Sequence, residues 1–169
     1  RGKADVSAGR FSFIFRVPKD INYQFGNGKI SLYAENGAQD ANGYFTNFLV
    51  GGAGLDNTGD KEGPEIRLFL NDELFANSGI VDQSPVLIVK LADSSGINTV
   101  GTGIGHDIIA TLDNDNNRYF ILNDFYEAEP NSYQRGRARF QLPELEPGPH
   151  TLKVKAWDIL NNSNESVLE

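Results

Sequence analysis

A chain of 169 residues with a net charge of −8 and no cysteine has room for one large domain, or one domain and a piece of another. The acidic balance argues against a nucleic-acid partner, and the absence of cysteine removes disulfides, thiolate metal sites and a cysteine nucleophile. The longest apolar run is the Val-Leu-Ile-Val of residues 86–89, far short of the ~20 residues of a membrane helix, so no membrane insertion is expected.

The hydrophobic fraction is only 39%, yet 11 Phe, 6 Tyr and one Trp supply bulky core material. Each buried aromatic contributes roughly 2–3 kcal/mol. The 18 Gly, with many Asn and Asp, point to frequent turns between short strands. The chain opens at Arg1 and shows no signal peptide, so it reads as a piece of a longer protein.

Period-2 alternation recurs along the chain and helical periodicity does not. A weak strand is expected around residues 2–6. The first clear one is 11–17, with Phe11, Phe13, Phe15 and Val17 on one face, ended by Pro18. Gly26, Asn27 and Gly28 turn the chain into a strand at 29–34, where Ile30, Leu32 and Ala34 share a face. A third apolar strand is expected at 44–50. Residues 1–55 therefore read as a partial β domain, incomplete on its N-terminal side. Residues 56–62 form an acidic linker within a Gly-rich stretch.

Residues 63–169 read as an immunoglobulin-like β-sandwich. Ile66, Leu68 and Leu70 alternate in the first strand, and 86–91 is apolar on both faces, as a central strand would be. Strands at 107–112 and 119–122 flank the turn at 113–117. Those at 137–142 and 150–157 alternate cleanly, with Ala138, Phe140 and Leu142, then Leu152, Val154 and Ala156, facing inward. The sandwich should close with one more strand, but only 164–169 remain, and Leu168 and Glu169 read as a remnant. With both ends cut from a longer chain, unpaired edge strands would drive artificial dimerisation.

The run from Leu145 to Asp158, with Pro147 and Gly148 turning into Leu152, Val154 and Ala156, resembles the penultimate strand of bacterial Ig-like modules. His150 sits where such modules place an aromatic corner residue. Residues 17–23, 26–31, 33–34, 96–101, 105–108, 122–127 and 157–163 resemble the post-catalytic region of the type IX secretion system sortase, a gingipain-like cysteine peptidase of Bacteroidota. That resemblance implies an extracytoplasmic location at the cell surface or outer membrane. It also implies protein partners: the peptidase domain of the same protein, the secretion machinery or its cargo. The family's catalytic Cys and His would lie outside this chain, so no catalytic residue is carried over.

The residues offer few sites of their own. His106 and Asp107 are adjacent, and on a strand would face opposite ways, which suits a structural turn better than a dyad. His150 reads as an imidazole at the edge of the core. Asp113 and Asp115 open like a calcium loop, but Arg118 and Asp124 stand where Gly and Glu are required. Asp56, Asp60 and Glu62 offer a looser calcium site at the linker, against the plainer reading of a solvated hinge. Residues 123–135 mix aromatics with carboxylates and amides, either as an interaction surface or as a loop folding Phe125 and Tyr126 onto the core. No catalytic, cofactor-binding or metal residue is therefore assigned, and no cofactor beyond that calcium is expected. The expected function is a non-catalytic spacer or docking region, with a carbohydrate-binding or adhesive module as the alternative.

Overall fold

The structure, a computed structural model, describes residues 2–19, 21–52, 59–100 and 105–169. Among these it is built from antiparallel strands, with a single 3-10 turn at Asn123–Phe125 and no α-helix. The chain divides into two compact units. Ile21–Asn57 form one, and Arg1–Asp20 together with Thr58–Glu169 form the other.

The smaller unit holds β1 (Gly26–Asn27), β2 (Ile30–Glu35), β3 (Asp40–Phe45) and β4 (Leu49–Val50). A hairpin pairs β2 with β3 from Ile30 opposite Phe45 to Glu35 opposite Asp40. Its turn is closed by Asn36, whose Oδ1 accepts the N–H groups of Ala38 and Gln39. The apolar strand expected at 44–50 is thus split, because Asp40–Phe45 is recruited to the hairpin and only Leu49–Val50 pairs with β1.

The larger unit contains β5 (Glu65–Leu70), β6 (Val86–Ala92), β7 (Ile109–Leu112), β8 (Tyr119–Ile121), β9 (Tyr126–Ala128), β10 (Arg135–Gln141), β11 (Leu152–Trp157) and β12 (Ser163–Leu168). They form two four-stranded sheets, ordered β5-β6-β10-β9 and β12-β11-β7-β8. This is the A-B-E-D and G-F-C order of an immunoglobulin-like sandwich, with β8 added beside the C strand. Alternation explains the core: Leu87, Val89 and Leu91 from one sheet meet Ala110, Leu112, Leu152, Val154 and Ala156 from the other. Small residues at Ala110, Ala138 and Ala156, all fully buried, let large neighbours interdigitate. Ile88 is buried on the outer side of β6, in keeping with a strand apolar on both faces.

Two expectations need correction. Residues 11–17 join no ladder, and 2–6 contribute only the approach to an isolated bridge between Ser7 and Arg10. Alternation supplies a strand's faces but not its neighbour, and none is present among the described residues. The sandwich does close with a further strand: β12 pairs with β11 over six positions and Leu168 is buried in the core. β12 was illegible because Ser163, Asn164, Glu165 and Ser166 carry almost no apolar signal. Residues 2–19 run as a strap along the sandwich instead. Lys3 Nζ meets Glu127 Oε2 at 2.8 Å, Asn131 Nδ2 donates to Asp5 Oδ2 at 2.8 Å, and the Lys19 N–H donates to the Ile159 carbonyl at 2.9 Å.

Candidate functional site

Two polar constellations in the sandwich stand out. The first forms at one end, where the segment leading into β5 and the exits of β6 and β11 meet. Each of these contributes one aspartate. Asp60, Asp93 and Asp158 bring carboxylate oxygens within 4.8 Å of one another, and Asp158 is fully buried. Each carboxylate also organises its own loop. Asp93 Oδ1 accepts from the N–H groups of Ser95 (2.7 Å) and Gly96 (2.9 Å). Asp158 Oδ1 accepts from Leu160 N (2.9 Å) and Asn162 N (2.7 Å), while Oδ2 accepts from Asn162 Nδ2 (2.8 Å). Asp60 Oδ2 takes hydroxyl hydrogen bonds from Ser94 (3.1 Å) and Ser95 (2.5 Å), and Asn162 Nδ2 reaches the Asp60 carbonyl at 3.2 Å.

Burial raises the pKa of Asp93. The N–H groups of Gly96 and Ser95 work the other way, and the charges of Asp158 and Asp60 push it up further. The donor set is oxygen only, carboxylate and hydroxyl, which is the chemistry that suits a hard divalent cation such as calcium. Of the three linker carboxylates considered from sequence, Asp60 is in this group, Glu62 lends its N–H to Asp60 Oδ1 at 3.1 Å, and Asp56 lies outside the described residues. Asp93 and Asp158 went unnoticed because they lie 33 and 98 positions beyond Asp60. Their shared signal, an acidic residue just past the end of a buried strand, becomes meaningful only once β6 and β11 are seen to end side by side.

The second constellation closes the E–F corner. His150 Nε2 lies 2.7 Å from the Glu146 carbonyl, and Nδ1 lies 3.0 Å from Asp113 Oδ2. Both neighbours are acceptors, so the ring makes both bonds only as the imidazolium. Its pKa is accordingly raised, first by the Glu146 carbonyl and then by Asp113. Burial works against the Asp113 carboxylate, but the Thr151 N–H, His150 and Arg118 outweigh it and hold it below its ordinary value. The bond from a corner side chain back to a carbonyl four residues upstream is the one a tyrosine makes in other immunoglobulin-like folds. Histidine here adds a charge that ties the corner to the β7–β8 turn. Asp113 is thereby committed to Thr151, His150 and Arg118, while Asp115 Oδ1 caps Asn117 within the same turn.

The remaining candidates resolve into packing. The His106 ring lies 4.4 Å from that of Trp157, on the outer side of β11. Within 123–135, Tyr126 and Ala128 form the inner face of β9, and Tyr126 Oη is buried with no hydrogen-bond partner among the described residues. Gly136 on β10, opposite Ala128, is needed for that ring: a Cβ there would meet Tyr126 Oη and the Glu127 carbonyl. Phe125 stays half-exposed, edge-on to Phe140 at 4.9 Å.

No protein-family model and no curated protein matches the chain. Among solved structures, the dimeric latent PorU from Porphyromonas gingivalis is similar, at 33% sequence identity and a TM-score of 0.63. The likeness covers 90% of this chain but only 14% of the PorU chain, so what it shows is a region resembling one part of PorU.

Proposed function

We propose that this chain is a non-catalytic accessory region of a type IX secretion sortase, acting outside the cytoplasm to space or dock the parts of that protein that perform the chemistry. The observation that carries this reading is the 33% identity to PorU, a type IX sortase, across 90% of the chain. The immunoglobulin-like sandwich fits the role, since such modules present surfaces and set distances. The commitment of His150 to Asp113 and Glu146, the packing of His106 on Trp157 and the lack of any cysteine support a chain without its own peptidase chemistry. No helix among the described residues is long and apolar enough to cross a membrane.

The test is deletion of residues 56–169 from the intact sortase. Loss of cargo cleavage and attachment, with the peptidase domain still folded and still labelled by an active-site thiol probe, is the expected result. Normal cargo processing after the deletion would refute a docking role.

A carbohydrate-binding or adhesive surface is favoured by one feature of the smaller unit. Tyr33 and Tyr44 project from the same face of the β2–β3 hairpin and are about two-thirds exposed, with Lys29 Nζ 5.3 Å from the Tyr44 ring centroid. Exposed tyrosines can stack on sugar rings. Glycan-array binding that is lost in a Tyr33→Ala, Tyr44→Ala double variant would establish this reading, and an array without signal would remove it.

A further inference from the structure

The outer face of the β5-β6-β10-β9 sheet runs against the charge of the chain. The net charge is −8, yet five of the 15 Lys and Arg residues stand on this one face: Arg67, Lys90, Arg135, Arg137 and Arg139. Partners in a ladder point to the same side, so the register fixes the rows. Arg67, Lys90 and Arg137 lie directly opposite one another across three strands. Arg135 and Arg139 flank Arg137 along β10, each two residues away at about 6.5–7 Å. Like charges set directly opposite cost stability, so such a row is unfavourable until something negative covers it.

The chain itself shows what settles there. Glu73 Oε2 lies 2.9 Å from Lys90 Nζ, and that hydrogen bond holds the Glu73 carboxyl below its ordinary value. Desolvation opposes the shift, and the charges of Lys90, Arg137 and Arg67 add to it. Glu127, opposite Arg137 on β9, is already bound by Lys3 at 2.8 Å. Arg67, Arg135, Arg137 and Arg139 are exposed and make no ion pair among the described residues. The Arg67 guanidinium lies 5.4 Å from the Phe69 ring centroid, a contact that keeps it over the sheet. Between Arg67, Lys90 and Arg135 the small Ala92 leaves a dent of about 240 Å³, with Glu65 and Glu129 at its two sides.

We infer that this face docks an extended acidic polypeptide segment, laid along β10 with a carboxylate at every second residue. The match is one of period. An extended segment turns alternate side chains to one side at the same repeat of about 6.5–7 Å, so three carboxylates meet Arg135, Arg137 and Arg139 in step. A guanidinium with free donors takes a carboxylate in a planar fork. The dent over Ala92 gives the carboxylate at Arg135 room to descend toward Arg67 as well. A nucleic acid or other long polyanion fits less well, because it carries charge on every unit toward Glu65, Glu129 and a chain of net −8. The inference deepens the docking role proposed above and rests on that reading for its context. A titration of the isolated chain keeps the two apart: failure to bind leaves the deletion result standing, and normal cargo processing after the deletion leaves the binding intact.

The test is fluorescence anisotropy of a labelled Ser-Glu-Thr-Glu-Thr-Glu-Ser peptide, titrated with the 169-residue chain up to about 1 mM at low salt. A Kd on the order of 100 μM is expected, weakened at least about tenfold when Gln replaces the three Glu. Arg135→Gln, Arg137→Gln and Arg139→Gln should each raise Kd about 2- to 5-fold, and the triple variant at least about tenfold. Lys153→Gln, which removes a cation from the opposite sheet, should leave Kd unchanged. Unchanged urea unfolding read by Trp157 fluorescence shows that the variants are folded, and the peptide comparison needs no variant of the chain. No binding at 1 mM, or equal binding of the Gln peptide, would overturn the proposal. An effect of Lys153→Gln equal to that of Arg137→Gln would overturn it too, as would equal binding of a peptide with its three Glu in succession. Tighter binding of a labelled single-stranded oligonucleotide or heparin fragment would overturn it in favour of a polyanion.

Discussion

Replacing Leu168 by alanine tests whether the last six residues work as a strand. Leu168 pairs with Leu152 and is only 6% exposed, among the side chains of the main core. Truncating a buried leucine to alanine costs about 2–5 kcal/mol, through lost transfer energy and the cavity left behind. A position next to the chain end can partly collapse, so the lower part of that range, about 2–3 kcal/mol, applies. For a sandwich of about 100 residues this is a fall in Tm of roughly 8–20 °C. Val167, one residue earlier, points outward opposite Lys153 and is half-exposed, so Val167→Ala should stay within about 0.5 kcal/mol. Urea unfolding followed by Trp157, the only tryptophan, reports on the same ladder, because Trp157 pairs with Ser163 at its other end. Equal, small losses for the two variants would show that β12 is not docked.

At the E–F corner the pH dependence has a definite sign. His150 is raised above its ordinary 6.5, so its contribution is complete below that value and is lost as pH rises through the folded value. Asp113 is lowered below 3.8, so its contribution is complete above that value and is lost as pH falls through the folded one. The difference in urea midpoint between the wild-type chain and His150→Gln should therefore be larger at pH 5.5 than at pH 8.5. Tyr126→Phe removes a buried hydroxyl that has no partner and should be neutral or stabilise by about 1 kcal/mol in the same assay, whereas Gly136→Ala should cost about 1–3 kcal/mol. Asp158→Ala strips the acceptor from Leu160 N and Asn162 N and should cost about 2–4 kcal/mol. Asp158→Asn keeps one oxygen and removes the charge beside Asp93, so it should cost less and lower the Asp93 pKa, measurable by carboxyl NMR titration.

The parts of the fold that were legible in the sequence are those in which one residue in two must be apolar. β5, β6, β10 and β11 declare themselves because Ile66, Val89, Ala138 and Val154 and their alternates must face the opposite sheet. β9 and β12 stayed hidden for different reasons. β9 is three residues long inside an aromatic and acidic stretch, and β12 lies at the sheet edge, where its outer side needs no apolar residues. Residues 11–17 gave the strongest alternation of all and yet form no ladder, since the pattern records what a strand wants to touch rather than what is there. At the candidate site, Asp60 and His150 were visible as unusual residues in loops. Asp93 and Asp158 were not, and Asp113 showed only as part of its own turn rather than as the partner of His150, because each pairing depends on which strand ends the sandwich brings together.

The strap also bears on the order of events as the chain is made. Lys3 waits for Glu127, and Asp5 waits for Asn131, each more than 120 positions later. At about 5–20 residues per second, the phenylalanine row stands uncovered for roughly 6–25 s before its anchors exist. During that interval it is a short, strand-prone apolar segment of the kind that seeds aggregation. Arg10 and Arg16 sit at its two edges, where cations discourage such contacts, so the same few positions that shape the finished surface also guard the unfinished one.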